Sequence, residues 1–254
     1  MGEFKDHFSG VAANYAEFRP VYPRALFEWI AGIAPRRERV WDCATGNGQA
    51  AAMLAEFFAE IIATDASAEQ VTNGTKHPRI RYAVAPAERS GLEDQSIDVV
   101  TVAQAAHWFD LPKFYAEARR VLREDGIVLL WCYGKFLFGK AEIDRLLEDY
   151  YHDVVGPYWP PERRYIEEDY RTLEFPLAEF GAPRFDMEAE FTRERLAGYL
   201  RTWSATQRFM KTKGTDPVIE LDGKLDRCWD RGEKMRVTSW PISIRAGRFP
   251  ARTN

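Results

Sequence analysis

A short apolar run that ends in an acid and leads into two closely spaced glycines is the part of this chain best suited to hold a ligand. Asp42 ends the run, and Gly46 and Gly48 follow before a segment rich in Ala and Leu. This order is typical of a strand, a glycine loop and a helix that together bind a nucleotide. The glycines permit a tight turn and close approach of the backbone, and the helix offers free N–H groups. Asp42 can accept a hydrogen bond from a cationic or hydroxylated ligand group.

The pattern after this loop alternates buried strands with amphipathic helices. Ser67 begins a capping box and Asp110 is a second helix cap, so each marks the start of a helix. Near-continuous apolar strands are typical of a parallel sheet that helices cover on both faces. Residues 36–134 are therefore predicted to be doubly wound, with Asp42 and Asp65 each ending a strand. The strands predicted after the first one span 60–65, 80–85, 97–104 and 126–132.

The segments on either side of this unit follow other patterns. Before the first strand, apolar residues from Leu26 to Ile33 repeat at helical spacing. Later in the chain, a helix is predicted over 217–231, and residues 185–191 and 237–245 alternate as half-buried strands do. Pro241 favours an edge position or a bulge for the last strand.

The composition narrows the class of protein. The 254 residues carry a formal net charge of −4 with intermixed signs, so nucleic acid is not an expected partner. No apolar run reaches the roughly 18 residues of a membrane span, and the first residues lack a secretion signal, so we expect a cytoplasmic protein without membrane contact. Cys43, Cys132 and Cys228 are scattered, and no histidine stands at ligand spacing from another His or Cys. Neither a disulfide framework nor a metal site is predicted.

A dinucleotide cofactor is one reading of the glycine spacing. The segment from Gly46 to Ala51 satisfies G-x-G-x-x-[GA], and Asp65 follows 17 residues after Gly48. Two features oppose this reading. Asp42 places an acid where it would repel a pyrophosphate, and a second mononucleotide-binding half is not visible. From the residues alone, a nicotinamide-dependent oxidoreductase stays an alternative.

Over nearly its full length the sequence resembles class I S-adenosylmethionine-dependent methyltransferases. The glycine motif of that family, acid-x-Gly-x-Gly-x-Gly, matches the residues from Asp42 to Gly48, with Ala44 in place of the first glycine. The resemblance implies a Rossmann-like α/β fold: a doubly wound, mainly parallel seven-stranded sheet with an antiparallel C-terminal strand and a helical cap insert. It implies one methyltransferase domain, 1–254, composed of an N-terminal cover and first helix (1–35), a cofactor-binding core (36–134), late helices and a substrate-side cap (135–235), and a closing strand and tail (236–254).

Three further segments indicate which branch of this family the sequence resembles. They are the aromatic N-terminal segment from Asn14 to Pro23, the segment from Gln104 to Asp110, and the closing segment from Trp240 to Arg245. Together they resemble the type 11 methyltransferases, in the branch of small-molecule enzymes that includes trans-aconitate methyltransferase-like proteins. A small-molecule acceptor is therefore implied, although membership of a fold family does not by itself identify that acceptor.

The resemblance implies S-adenosylmethionine as the cofactor and suggests which residues bind it. Asp65 matches the acid that binds the ribose hydroxyls, and Ala87 with Glu88 matches the segment beside the adenine. Tyr15 and Arg19 match an N-terminal cover whose polar ends approach the methionine carboxylate, a role that suits the forked guanidinium of arginine. The predicted cofactor-binding residues are Tyr15, Arg19, Asp42, Ala44, Gly46, Gly48, Asp65, Ala66, Ala87, Glu88 and Gln104.

His107 is the candidate catalytic residue. In the family that the sequence resembles, residues after the fourth strand face the methyl group, and an imidazole there can accept the nucleophile's proton near neutral pH. The alternative is that His107, beside Trp108 and Phe109, is a pocket wall with its own hydrogen bond. An ionised carboxylate acceptor would need no base, whereas a hydroxyl, amine or carbon acceptor would need one.

The late insert supplies residues for an acceptor pocket. Its arginines make a carboxylate one candidate for the small-molecule acceptor, and its aromatic residues either line that pocket or fill the core of the cap. A non-catalytic S-adenosylmethionine-binding module is the second alternative beside the oxidoreductase. The arginines are Arg163, Arg164 and Arg201, and the aromatic residues are Tyr158, Trp159, Tyr199 and Trp203.

Overall fold

An eight-stranded mixed sheet is the centre of the computed structural model, which describes residues 20–229 and 235–250. Its strands are β1 (Arg39–Cys43), β2 (Glu60–Asp65), β3 (Ile80–Val84), β4 (Ile97–Ala103), β5 (Leu122–Tyr133), β6 (Ala178–Phe180), β7 (Phe185–Phe191) and β8 (Arg236–Arg248). They lie in the order β3-β2-β1-β4-β5-β8-β6, and β7 pairs with β8 beside this path. The neighbours among β1 to β5 are parallel, whereas β8 is antiparallel to β5, β6 and β7.

Helices cover the sheet on both faces and create two apolar cores, because successive side chains of a strand point to opposite faces. In β1, Val40 packs in the core that contains Leu26 and Leu54, and the next residue, Trp41, packs in the core that contains Phe114. The helices are α1 (Arg24–Ile33), α2 (Gln49–Leu54), α3 (Ala68–Thr72), α4 (Leu111–Val121), α5 (Ala141–Asp149), α6 (Arg163–Glu167), α7 (Arg193–Arg201), α8 (Ser204–Lys213) and α9 (Val218–Cys228).

The predicted α/β fold class and the two predicted helix caps are confirmed. The Ser67 side chain accepts the backbone N–H of Gln70 at the start of α3, and Asp110 accepts that of Lys113 at the start of α4. These bonds satisfy N–H groups that the first turn of a helix leaves free. No helix in the described ranges has the length and apolar content needed to cross a bilayer.

The predicted number of seven strands is wrong by one. The additional strand is β6, which has three residues and pairs with Ala246 to Arg248 of β8. A segment this short contains too few residues to show the alternation by which a strand is found in sequence. Its pairing partner is what makes it a strand.

The late helices form a group beside β7 and β8. Helix α9 contacts α5 and α7, and α7 contacts β7. Between them, the rings of Phe136, Tyr199 and Trp240 pack together with centroid separations of 5.0 to 5.9 Å. Helix α6 lies elsewhere and contacts the 3₁₀ turn Ala106–Trp108, which follows β4. This contact connects the insert to the carboxyl end of the central strands.

Candidate functional site

The carboxyl ends of three neighbouring strands meet at one edge of the sheet, and polar residues predicted to bind a ligand lie there. In the central strand β1, Asp42 stands opposite Ala63 of β2 and Thr101 of β4. Asp65 is the last residue of β2, and Gln104 follows the last residue of β4. Open parallel sheets bind ligands beyond the carboxyl ends of their strands, so this edge is the candidate site.

The loop between β1 and α2 makes a tight turn that Asp65 holds from the neighbouring strand. Three loop residues have a positive φ: Ala44 at 54°, Gly46 at 58° and Gly48 at 80°. This conformation costs a non-glycine residue about 1–2 kcal/mol, so Ala44 is strained where the two glycines are not. Asp65 Oδ2 accepts the backbone N–H of Gly46 at 2.9 Å, and its Oδ1 accepts that of Ser67 at 2.9 Å. Both oxygens keep acceptor capacity for a ligand, because a carboxylate can accept about four hydrogen bonds.

Gly48 is required by close packing as well as by its conformation. A Cβ atom at this position would lie 1.9 Å from Tyr82 Oη. The Tyr82 hydroxyl donates to the Thr75 carbonyl at 2.9 Å, which holds the ring against the loop. The packing of the Tyr82 side chain and the hydrogen bond to Asp65 therefore together hold the conformation of the loop backbone.

Asp42 is buried at this edge, with only 1% of its surface exposed. Its oxygens accept the hydroxyls of Thr45 at 2.5 Å and Thr101 at 2.7 Å. Burial raises the pKa of the Asp42 carboxyl to about 6 against the effect of those hydrogen bonds, and repulsion from Asp65 also raises it. Two carboxyl groups that repel each other beside one loop favour a positively charged ligand.

The pKa of Asp42 leads to a stability prediction. An unfolded Asp titrates near pH 4, so between about pH 4 and 6 the folded chain holds a proton that the unfolded chain has lost. The contribution of Asp42 to the free energy of unfolding therefore falls as pH rises through this window and is constant above it. An Asp42→Asn variant cannot ionise in this range. We therefore expect its free energy of unfolding, relative to that of the unmodified protein, to increase by about 1–3 kcal/mol from pH 4 to pH 7.

Urea unfolding of both proteins at several pH values measures this difference. Groups that do not interact with Asp42 contribute equally to both proteins and cancel in the comparison. A difference in unfolding free energy that does not change between pH 4 and 7 would show that Asp42 has an ordinary pKa.

Gln104 carries an acceptor atom that the protein leaves without a partner. Its backbone has a φ of 57°, and its side-chain Nε2 donates to the Tyr133 carbonyl at 2.7 Å. The Oε1 atom of the same amide is buried and accepts no hydrogen bond from any residue that the structure describes. An unsatisfied buried acceptor costs about 1–3 kcal/mol. A ligand N–H or O–H group at this position would remove that cost.

His107 lies in the 3₁₀ turn Ala106–Trp108 and is 8% exposed. Its Nδ1 atom is 2.8 Å from the hydroxyl oxygen of Tyr170. Burial, assisted by the positive charge of Arg163, lowers the pKa of the imidazole to about 3. His107 is therefore neutral at physiological pH and is a weak proton acceptor.

Arg163, the first residue of α6, brings a positive charge to the same place. Its Nε atom donates to the Tyr151 hydroxyl at 2.8 Å, and that hydroxyl donates to Glu167 at 2.6 Å. The guanidinium carbon lies 4.6 Å from the centre of the Trp159 ring. Its terminal nitrogens donate no hydrogen bond within the described ranges. An oriented guanidinium with free donors can bind an anion.

Comparison with known proteins decides between the two classes of cofactor. A family model described as a methyltransferase domain matches residues 41–130. Over 246 residues the chain is 30% identical to a protein named as a methyltransferase from Dictyostelium discoideum, with 94% of each sequence covered. A solved structure named as a type II methyltransferase from Anaeromyxobacter dehalogenans is 44% identical and has a TM-score of 0.86, over 92% of this chain and 99% of that one. The chain belongs to the class I S-adenosylmethionine-dependent methyltransferases.

This membership confirms the predicted enzyme class and the predicted cofactor, S-adenosylmethionine. It also excludes the alternative that the chain is a nicotinamide-dependent oxidoreductase. A protein named as an S-adenosylmethionine-dependent methyltransferase from Saccharomyces cerevisiae is 30% identical over 169 residues, which are 61% of this chain and 57% of that protein. The narrower resemblance to trans-aconitate methyltransferase-like proteins stays a prediction.

The remaining residues predicted to bind the methyltransferase cofactor lie in different surroundings. Ala66 directly follows β2, and Ala87 is buried in the apolar core on one face of the sheet. Glu88 is half-buried, and its Oε1 atom accepts the backbone N–H of Asp110 at 3.0 Å. Tyr15 and Arg19 lie outside the described residues. The cofactor-binding roles of all these residues stay predictions.

Only one of the three arginines of the insert reaches His107. Arg164 is exposed and stacks on the Tyr165 ring at 4.8 Å, and Arg201 pairs with Asp216 at 2.7 Å. The aromatic residues divide in the same way. Trp159 and Trp203 pack with Tyr151 beside Arg163, whereas Tyr199 packs in the core against Trp240 and Tyr158 packs on Phe209.

Three tyrosines of the site were not identified by the sequence analysis. Tyr82 supports the glycine loop, Tyr151 orients Arg163, and Tyr170 contacts His107 from a distance of 63 residues along the chain. None of them belongs to a motif. The only local signal was the high aromatic content of the insert, which does not distinguish a site residue from a core residue.

Proposed function

We propose that this methyltransferase transfers a methyl group from S-adenosylmethionine to a carboxylate oxygen of a small organic acid. The observation that carries the proposal is the guanidinium of Arg163. It is half-buried, Tyr151 orients it, its charge acts on His107, and its terminal nitrogens are free of partners among the residues that the structure describes. A carboxylate can accept two parallel hydrogen bonds from such a group.

The glycine loop and its neighbours fit the cofactor in this proposal. Gly46 and Gly48 bring the backbone close to it, and Asp65 keeps lone pairs for the ribose hydroxyls. The paired negative charges of Asp42 and Asp65 suit the sulfonium and ammonium groups, which are cations. The unpartnered Oε1 atom of Gln104 is an acceptor for an N–H group of the methionine end. The family resemblance implies that Ala87 and Glu88 lie beside the adenine, and we assign Ala66 to the same cofactor site.

The chemistry demands little proton transfer from the protein. When bound, S-adenosylmethionine supplies an activated methyl group, which passes to the acceptor oxygen while the electron pair of the broken carbon–sulfur bond stays on sulfur. Arg163 holds the acceptor carboxylate, and Trp159 and Trp203 contribute apolar surface that excludes water. A carboxylate is already ionised at neutral pH, so no base is needed. A neutral, weakly basic His107 is consistent with that acceptor and less suited to the deprotonation of a hydroxyl or amine.

A panel of acceptors tests the proposal. We expect small organic acids to give S-adenosylhomocysteine and a methyl ester, and expect their primary amides and pre-formed esters to give neither. Mass spectrometry identifies the product, and mild alkaline hydrolysis releases the parent acid from an ester. Binding of S-adenosylmethionine by calorimetry is the control for an intact cofactor site. Turnover confined to alcohols or amines without a carboxyl group would contradict the proposal.

A further inference from the structure

Among the residues that the structure describes, the hydroxyl of Tyr170 has one hydrogen-bond acceptor. Tyr170 is 0% exposed, and a buried hydroxyl must donate its proton or leave it unsatisfied at a cost of about 1–3 kcal/mol. The only hydrogen bond of this hydroxyl to a side chain within the described ranges is the one to His107 Nδ1, at 2.8 Å. Burial raises the pKa of the Tyr170 phenol well above its usual value, so the proton stays on the oxygen.

The backbone groups near the phenol also support donation from the Tyr170 hydroxyl to His107 Nδ1. The backbone N–H groups of Ala106 and His107 act to lower the pKa of the Tyr170 phenol, against the larger effect of burial, because they favour negative charge on its oxygen. These N–H groups offer the hydroxyl proton no acceptor, so its partner among the described residues is the imidazole of His107. Nδ1 then accepts, and the proton of the neutral ring resides on Nε2. Nε2 itself makes no hydrogen bond to any residue in the described part of the chain.

The segment that carries Tyr170 is strained and firmly held. Asp169 and Tyr170 both have a positive φ, at 56° and 57°, which costs non-glycine residues about 1–2 kcal/mol each. Ser243 donates to the Asp169 carboxylate at 2.8 Å, and Arg245 donates to the Tyr170 carbonyl at 3.2 Å. Strained residues persist where their surroundings over-determine them, and they concentrate at functional sites.

We propose that Tyr170 is a positioning residue, whose hydroxyl locks His107 in the neutral tautomer that presents Nε2–H as a hydrogen-bond donor to the acceptor carboxylate. Arg163 and His107 would then bind the carboxylate through two different donors, and His107 would remove no proton. The identity of the acceptor rests on the proposed function, whereas the tautomer is a property of the protein alone. Among the described residues, the ionisable groups that act on this pair are Arg163 on α6, Cys132 on β5 and Tyr22, which precedes α1.

Nitrogen NMR of protein labelled at its histidines tests the tautomer without any acceptor. The chain has four histidines, so a His107→Gln spectrum identifies the signals of His107. We expect the Nε2–H pattern at every pH from 5 to 8, and a mixture of both neutral tautomers in a Tyr170→Phe variant. The Nδ1–H pattern in the unmodified protein, or protonation of the ring within this range, would overturn the proposal.

Steady-state kinetics test whether the hydrogen bond from Tyr170 to His107 contributes to turnover of the acceptor. We expect Tyr170→Phe to lower kcat/KM for the acid by about 10-fold, as expected for one hydrogen bond, with unchanged affinity for S-adenosylmethionine. The control is Tyr165→Phe, which removes a nearby hydroxyl that accepts from Arg164 and does not contact His107. Equal effects of the two variants would contradict the positioning role. If no acid is a substrate but the His107 tautomer is as expected, the proposed function is wrong, whereas the role of Tyr170 in fixing the tautomer is supported.

Discussion

An Arg163→Met variant is expected to lose on the order of 10²-fold in kcat/KM for a carboxylic acid while its affinity for S-adenosylmethionine stays the same. Removal of one partner of a hydrogen-bonded, desolvated charge pair typically costs 2–5 kcal/mol, because the other charge is left without compensation. Methionine keeps much of the length of the side chain that lies over Trp159, so the aromatic surface stays covered. Initial rates over a range of acid concentrations, with calorimetry for the cofactor, measure both quantities.

Arg164→Met is the matched control for this variant. It removes the same charge from the adjacent residue, whose guanidinium stacks on Tyr165 and is exposed. We expect at most a small effect on kcat/KM. An Arg163→Lys variant keeps the charge without the planar fork, and we expect a loss of about 10-fold. Equal losses for Arg163→Met and Arg164→Met would indicate a general electrostatic effect and remove the basis for a carboxylate anchor at Arg163.

A Gly48→Ala variant is expected to lose about 3 kcal/mol or more of unfolding free energy, together with measurable binding of S-adenosylmethionine. The new methyl group would lie 1.9 Å from Tyr82 Oη, and the residue would keep a φ of 80°. Either Tyr82 leaves its bond to the Thr75 carbonyl or the loop moves away from the strand. Both changes alter the backbone that we propose binds the cofactor. Urea unfolding and calorimetry measure the two losses.

Gly46→Ala separates the steric effect from the conformational one. Its φ of 58° is also positive, but within the described ranges no atom outside its neighbours lies closer than 4.0 Å to the added Cβ. We therefore expect a loss of about 1–2 kcal/mol from the backbone alone. Adding Tyr82→Phe to Gly48→Ala removes the closest atom and is expected to restore part of the stability. A Gly48→Ala variant as stable as Gly46→Ala would show that the packing of Tyr82 is not restrictive.

Most of the fold could be predicted from the sequence because most strands of the parallel part of the sheet contain a continuous apolar run. Each of β1, β2, β4 and β5 contains an apolar run of the kind that a parallel sheet buries, and Ser67 and Asp110 mark where two helices begin. The three residues of β6 could not be found in this way. Their strand conformation depends on pairing with β8, which is distant in the sequence.

The candidate cofactor site could be predicted because its main parts are local in sequence. Asp42, Gly46 and Gly48 lie within one turn, and Asp65 ends the next strand, so their spacing carries the information. The residues proposed to bind the acceptor follow no recognisable spacing in the sequence. Arg163 and Arg164 are neighbours of equal charge in the sequence, and only the packing of α6 on the turn after β4 shows which of them faces His107.

The sequence by itself determined the order of strands and helices, the glycine loop between β1 and α2, and the family to which the chain belongs. Only the tertiary structure decided the state of the reactive groups. The pKa of Asp42 depends on its burial between Thr45 and Thr101, and the weak basicity of His107 depends on burial beside Tyr170. A residue type determines which protons a side chain can exchange, whereas desolvation and partners from distant segments determine whether it exchanges them.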